Sequence, residues 1–300
     1  MIWLFNSFER LNEIKGVRIE RNIALSKLTT WKVGGEADAL IIVESASGLR
    51  DSVRILEENE IPLFVLGNGS NVLVSDSGFR GAVIKLAGNL ASISVSENRL
   101  EVGGGASLQL VLSRALEASL SGLEFLAGIP GTLGGAIISN AGAFGHEISD
   151  YLDEVATINL SGEWITRREL EGQYRQSIVP DDEVVTSAVF MLKRDHREKI
   201  KERIRDFQQK RISTQPVGKA TAGSVFKNPG NFSAGELIEK CGLKGFSCGE
   251  ARISDVHANF IVNEGGASAS DIMRLIEIVQ SRVKENFDID LELEVKLLGF

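Results

Sequence analysis

The chain has 300 residues, 43% hydrophobic and 25% charged, a globular balance with room for more than one core, and its formal net charge of −8 argues against general nucleic-acid or anionic-membrane binding. No apolar run approaches the roughly 18 residues of a membrane helix, and the start, Met1-Ile-Trp-Leu-Phe-Asn, lacks the basic flank and cleavage site of a signal peptide. A cytoplasmic protein is expected, and Cys241 and Cys248, too far apart for the usual zinc pair and with only His257 nearby, read as structural thiols.

Residues 7–15 predict a short amphipathic helix with Phe8, Leu11 and Ile14 on one side. From Leu28 through Trp31 and Gly34-Gly35 to Val43 the chain predicts a turn feeding a buried strand. A helix follows over 46–59, with Leu49, Val53 and Leu56 inward. Strands at 63–66, 72–74 and 82–86 complete a first lobe, the first two separated by Gly67-Asn-Gly-Ser-Asn71. A second lobe opens with strands near 92–96 and 99–102, punctuated by Gly103-Gly-Gly105. Ser107 is placed to cap a helix running to the stop at Gly122.

Next comes a long glycine-rich stretch, Gly128-Ile-Pro-Gly-Thr-Leu-Gly-Gly-Ala-Ile-Ile-Ser-Asn-Ala-Gly-Ala-Phe-Gly145. Glycine admits positive φ and close backbone approach. Successive amides in such turns form nests suited to phosphate oxygens. One such loop would read as a tight connection. Two of them, here and at Gly67–Asn71, suit a diphosphate cofactor gripped from both sides.

A strand over 154–160 and one over 163–166 form a hairpin candidate about Ser161-Gly162, and residues 183–192 predict another strand. Composition shifts near 193, where Lys193–Arg211 carries nine Lys or Arg among four acidic residues on a thin stripe of Ile200, Ile204 and Phe207. This reads as a solvated linker helix. Beyond it, Ser233-Ala-Gly-Glu236 reads as a capping box opening helix 234–241. Ser268-Ala-Ser-Asp271 caps a longer helix with Ile272, Leu275, Ile276, Val279 and Val283 inward. Alternation over Leu291–Leu298 predicts a last strand with Glu292, Glu294 and Lys296 on one face.

Several chemistries are poorly supplied. Val72 stands where a Rossmann fingerprint needs its third glycine, Gly218-Lys219 lacks the P-loop spacing, and His146-Glu147 lacks the second histidine of a zinc protease helix. Three places remain. Arg175, in Tyr174-Arg-Gln-Ser177, could clamp a carboxylate or be a plain surface arginine. Gly223-Ser-Val-Phe-Lys-Asn228 gathers a hydroxyl, a cation and an amide, and is equally credible as a turn. The terminal strand offers Glu292 and Glu294, between which pattern does not choose.

With these residues assembled, the sequence resembles the MurB family of UDP-N-acetylenolpyruvoylglucosamine reductases, within the FAD-binding PCMH, or vanillyl-alcohol-oxidase, superfamily. The resemblance spans about Leu28 to Gly299. It is carried by Thr-Thr-Trp-Lys-Val-Gly-Gly35, Leu-Gly-Asn-Gly-Ser-Asn-Val-Leu73, Gly-Ile-Pro-Gly-Thr-Leu-Gly-Gly-Ala136, Asn-Ala-Gly-Ala-Phe-Gly145, Tyr-Arg-Gln-Ser177, Ala-Gly-Ser-Val-Phe-Lys-Asn-Pro229, His-Ala-Asn-Phe-Ile-Val-Asn263 and Leu-Glu-Val-Lys-Leu-Leu-Gly299. Leu293 replaces a proline common in the family. The short stretch between Glu250 and His257, with no inserted tyrosine-bearing loop, points to the type II form.

The resemblance implies an α+β protein: an N-terminal helix and lead-in over 1–28, a two-lobed PCMH-type FAD-binding domain over 29–194 (lobes about 29–88 and 89–194), and a smaller α+β substrate-binding domain over 195–300. It implies noncovalent FAD, NADPH as hydride donor, a sugar-nucleotide substrate and a role in peptidoglycan precursor synthesis. A monomer without nucleic-acid partners or membrane insertion is expected. Flavin contacts are implied at Gly67, Asn68, Gly69, Ser70, Asn71, Val72 and Leu73, and at Gly128, Ile129, Pro130, Gly131, Gly134, Gly135, Ala136, Asn140 and Gly142. Arg175, Ser224 and Glu294 take the catalytic positions, and Tyr174, Lys227 and Asn228 those that bind substrate. A non-catalytic nucleotide-binding module and a different flavin oxidase are the alternatives.

Overall fold

Where the chain can bury a stripe or one face of a strand, it does so, and the computed structural model, which describes residues 2–168 and 170–300 without the side chains of 2–6, divides accordingly into two units. One comprises the chain up to Arg21 with Asp38–Asn68 and Gly81–Gln209; the other comprises Asn22–Ala37, Gly69–Arg80 and Lys210–Phe300.

The first unit begins with helix α1 (Ile2–Asn12), strands β1 (Val17–Ala24) and β2 (Glu36–Val43), helix α2 (Ala46–Glu58) and strand β3 (Leu63–Val65). Strand β4 (Val72–Val74) belongs to the second unit, and β5 (Phe79–Leu86) returns to the first. The sheet order is β1-β2-β5-β3, with β3 parallel to β5. Ser45 caps α2 by accepting from the Gly48 amide at 3.1 Å, and Leu49, Val53 and Leu56 are fully buried, as their spacing predicts. The N-terminal helix ends earlier than expected, at Asn12; Met1 lies outside the described residues.

The second lobe of this unit is an antiparallel sheet of order β12-β11-β13-β7-β6, formed by β6 (Ile93–Ser96), β7 (Arg99–Gly103), β11 (Leu152–Asn159), β12 (Trp164–Arg167) and β13 (Glu183–Met191). The expected hairpin is present, Val155 facing Arg167 and Ile158 facing Trp164, with Gly162 at φ +86° in its turn. Helix α3 (Leu108–Glu117) is capped by Ser107 but stops short of Gly122, because Ser119 turns left-handed at φ +57°. Leu120–Ser121 then forms a short strand, β8, paired with β14 (Lys193–Arg194). Helix α4 (Leu133–Ile138) and a small hairpin of β9 (Gly142–Ala143) and β10 (His146–Glu147) lie inside the glycine-rich stretch. Helix α5 (Arg197–Thr214) buries Ile200 and Ile204.

In the second unit, α6 (Ala234–Lys240) and α7 (Ala269–Phe287) accompany an antiparallel sheet of β15 (Ser247–Cys248), β16 (Ala251–Ile253) and β17 (Ile261–Asn263). The inward residues of α7, Ile272, Leu275, Ile276, Val279 and Val283, are at most 1% exposed. Each contributes about 1.5–3 kcal/mol relative to an exposed position. At α7 the capping box is complete, Ser268 and Asp271 exchanging side-chain-to-amide bonds of 3.0 and 2.9 Å. Asp76 adds a further cap from the β4–β5 connection, accepting from the amides of Ala269 and Ser270 and from the Ser270 hydroxyl. At α6 the Ser233 oxygen accepts from the Glu236 amide at 3.3 Å.

The last strand departs from expectation. Regular strand covers only β18 (Lys296–Leu298), which runs parallel to β4, while Leu293 makes an isolated antiparallel bridge to Phe226. The segment changes partner between the two, so alternation in the sequence outlasts the ladder.

Candidate functional site

In the first unit the two glycine segments are joined directly. The Asn68 amide nitrogen donates to the Gly131 carbonyl at 3.1 Å. Gly67 has no room for a Cβ, which would collide with Oγ1 of Thr132. That threonine caps α4 by accepting from the Gly135 amide at 3.4 Å. The amides of Leu133 and Gly134 donate to Ala106 and Gly104, so the start of α4 is seated on the Gly103–Ala106 turn. Lys85 is the one cation in the run Ala82–Leu86, and its Nζ donates to the Gly67 carbonyl at 2.9 Å. Burial holds that ammonium below the ordinary lysine value.

Gly135 separates packing from ligand approach. It is exposed and helical, and a Cβ there would meet nothing closer than Thr132 Oγ1 at 3.6 Å. Nothing within the unit excludes a side chain, although alanine would favour the helix by about 1 kcal/mol. The first amides of α4 are taken by Ala106, Gly104 and Thr132, so what this stretch offers a pyrophosphate group is close, side-chain-free approach at Gly135 beside exposed Gly128 and Pro130. The residues fit a flavin dinucleotide.

Asn140 occupies the far end of that stretch with no exposure at all and φ +40°. Its amide donates to Glu147 Oε2 at 2.7 Å and to the Gln173 carbonyl at 3.0 Å, and its oxygen accepts from the Ser149 amide at 3.3 Å. Arg175, itself left-handed at φ +52°, aims its guanidinium at main-chain carbonyls, donating to Asn140 at 3.3 Å and Gly142 at 3.0 Å. It also lies over the ring of Tyr174, which is exposed.

The second unit brings Ser224 and Glu294 onto neighbouring extended segments joined by the isolated Phe226–Leu293 bridge. The Glu294 amide donates to the Val225 carbonyl at 2.8 Å, and the Lys227 amide donates to the Glu292 carbonyl at 2.9 Å. On the other side Asn259, buried to 4% exposure, grips the same segment. Its Oδ1 accepts from the Phe226 amide at 2.9 Å, its Nδ2 donates to the Phe226 carbonyl at 2.8 Å, and its own carbonyl takes the Val225 amide. Ser224 is thus half-buried at the head of a segment bonded along both edges, with Gly223 before it at φ +79°. Asn71 reaches the partner segment, donating to the Glu294 carbonyl at 3.1 Å. The pattern left Glu292 and Glu294 equal; the structure separates them. Glu292 is exposed and pairs with Lys227 Nζ at 3.3 Å, whereas Glu294 is half-buried.

Other expected residues are placed less simply. Val72 and Leu73 are buried as β4, so only their backbone is offered outward, and Asn228 accepts from the Ala234 amide beside α6. Gly69, at φ +63°, packs its carbonyl against Thr30, whose amide and hydroxyl both donate to it. Sequence reasoning passed over Lys85 and assigned Asn259 no part. A lone lysine in an apolar strand was the available signal for the first. For Asn259 there was only its place within a family motif.

Comparison with known proteins identifies the family. A family model described as FAD binding domain matches residues 37–167, and one described as UDP-N-acetylenolpyruvoylglucosamine reductase, C-terminal domain, matches residues 215–298. UDP-N-acetylenolpyruvoylglucosamine reductase of Bacillus pumilus is 40% identical, covering 98% of both chains. The crystal structure of UDP-N-acetylenolpyruvylglucosamine reductase (MurB) from Thermus caldophilus matches with a TM-score of 0.82 and 39% identity, over 94% of this chain and all of that one. The glucose dehydrogenase Phl p 4.0202, at 14% identity and TM-score 0.51, covers 66% of this chain and 45% of its own, a likeness of fold alone. With near-complete coverage at this identity, the chain belongs to the UDP-N-acetylenolpyruvoylglucosamine reductase family.

Proposed function

We propose that the chain reduces the enolpyruvyl ether of UDP-N-acetylglucosamine to UDP-N-acetylmuramate, with noncovalent FAD and with NADPH as hydride donor. The observation that carries the site assignment is the pairing of the Ser224–Lys227 segment with Glu292–Glu294, which sets a hydroxyl and a carboxyl on adjacent extended segments of one unit. FAD, when bound, supplies hydride transfer, from NADPH and on to the terminal vinyl carbon.

The backbone of Gly67–Leu73 and Gly128–Gly142 then holds the dinucleotide, and Lys85 adds a cation beside the first of these turns. Arg175 orients the substrate carboxylate with its planar fork and offsets the negative charge that builds on the neighbouring carbon. Glu294 assists at the same developing charge by holding or sharing a proton. Ser224 delivers a proton to the carbanionic carbon, an acid strong enough for so basic a site. Lys227, Asn228 and Tyr174 bind the sugar nucleotide. The reaction belongs to peptidoglycan precursor synthesis and requires no membrane insertion; a cytoplasmic monomer is the working form proposed.

Spectroscopy tests the reading. The purified protein should show flavin absorption that NADPH bleaches anaerobically and the enolpyruvyl sugar nucleotide restores. Ser224→Ala should keep the bleaching and lose the restoration. Equal loss of both would remove the proton-donor role, and a protein that takes up no FAD would overturn the function itself.

A further inference from the structure

Residues 170–182, which carry Arg175, contain no helix or strand, so no ladder fixes them. We infer that Asn140, seated on Glu147, is the residue that positions Arg175, an assignment that deepens the function proposed above and rests on it. Its side chain points wholly into protein. One Nδ2 hydrogen goes to Glu147 Oε2 and the other to the Gln173 carbonyl, two residues before Arg175, while Oδ1 accepts from Ser149. Its main-chain carbonyl receives Nη1 of Arg175. Asn140 therefore holds the turn that carries the arginine and, together with the Gly142 carbonyl at 3.0 Å, receives its guanidinium.

The surroundings admit little else. A Cβ on Gly172 would collide with the Ser149 hydroxyl and come within 2.8 Å of Asn140 Nδ2, so the arginine loop is pressed against this amide. Asparagine tolerates the left-handed backbone found here. It also offers two donors and an acceptor at this size, whereas an ionised aspartate offers no donor. With nearly unchanged shape, an aspartate in place of Asn140 would set its carboxylate against the Glu147 carboxylate and the Gln173 carbonyl.

Asn140→Asp is the test. The Gln176 amide bonds the Gln173 carbonyl at 3.1 Å, and in protein without substrate its hydrogen exchange should rise about tenfold or more once Gln173 is released. Per mole of bound flavin, reoxidation by the enolpyruvyl substrate should fall about 100-fold, in kcat more than in KM, and about tenfold or more beyond any slowing of reduction by NADPH. Asn140→Asp with Glu147→Gln restores one donor–acceptor pair and should recover about tenfold of that loss. Should Asn140→Asp lose its fold, Glu147→Gln alone, a milder weakening of the same bond, should slow reoxidation about threefold and leave reduction unchanged.

Unchanged exchange at Gln176, or reoxidation at the parental rate, would overturn the assignment. So would equal slowing of both half-reactions with loss of flavin, which would make Asn140 part of the flavin loop only. The exchange measurement is read without turnover, so it answers separately from the proposed reaction.

Discussion

The loop that carries Arg175 and the segment that carries Ser224 are held by opposite means. Ser224–Lys227 is bonded along one edge by Glu292 and Glu294 and along the other by Asn259, backbone to backbone with a buried amide in support. Among the described residues, the Arg175 loop has one long main-chain bond out, from the Ile178 amide to Ile137 at 3.5 Å, and otherwise relies on side-chain contacts such as those of Arg175 to the carbonyls of Asn140 and Gly142 and of Asn140 to Gln173. Main-chain pairing tolerates side-chain change, whereas a loop tied by a few side chains transmits any change directly to its functional group. A proton donor acts at one atom and gains from a rigid seat. An arginine that must meet a carboxylate in a planar fork depends instead on angle.

Arg175→Lys should break the more delicate side. Lysine keeps the charge but cannot span both carbonyls or present a fork, so substrate-driven reoxidation should fall about 10²–10³-fold with NADPH bleaching intact. Stopped-flow of the two half-reactions checks this, and near-parental reoxidation would take Arg175 out of the chemistry. Asn259→Ala probes the rigid side. It leaves the Phe226 amide and carbonyl buried without their partner and should destabilise the second unit by about 2–3 kcal/mol, seen as a lower urea midpoint. A midpoint unchanged from the parent would mean that the strand on the other edge suffices alone.

The smallest effect concerns the α7 cap. Burial alone would raise the Asp76 carboxyl, but the Ser270 hydroxyl and the amides of Ala269 and Ser270 outweigh it and hold it below the ordinary carboxylate value. A group lowered in the folded state stabilises above its unfolded value and ceases to do so as pH falls through the folded one. Asp76→Ala should therefore cost about 1 kcal/mol near neutral pH and little once the pH is well below the folded value. Urea unfolding of parent and variant at both pH values measures the difference, and a gap that persists in acid would rule out the ionised cap.

Much of this was readable from residue pattern because it is local. The Ser107 and Ser268 caps, the inward faces of α2 and α7 and the hairpin about Gly162 each follow from a few neighbouring residues. Helix α4 was hidden because its Gly134-Gly135 pair reads as loop, and what seats it, the Gly103–Ala106 turn, lies about thirty residues upstream. Asn259 meets Phe226 across 33 residues and Asn71 meets Glu294 across 223, contacts no spacing rule reaches. The choice of Glu294 over Glu292 came from resemblance; periodicity put both on one face, and only the change of partner after Leu293 sets them apart.

That change of partner also bears on synthesis. Strand β18 joins β4 through Lys296–Val72 and Leu298–Val74, so β4 waits for a partner synthesised far downstream of it. A nascent chain still tethered to the ribosome exposes the edge of β4 just after Asn71, and a product halted before Lys296 leaves that edge permanently uncovered. Residues Lys296–Leu298 thus decide whether the first glycine turn acquires its downstream support.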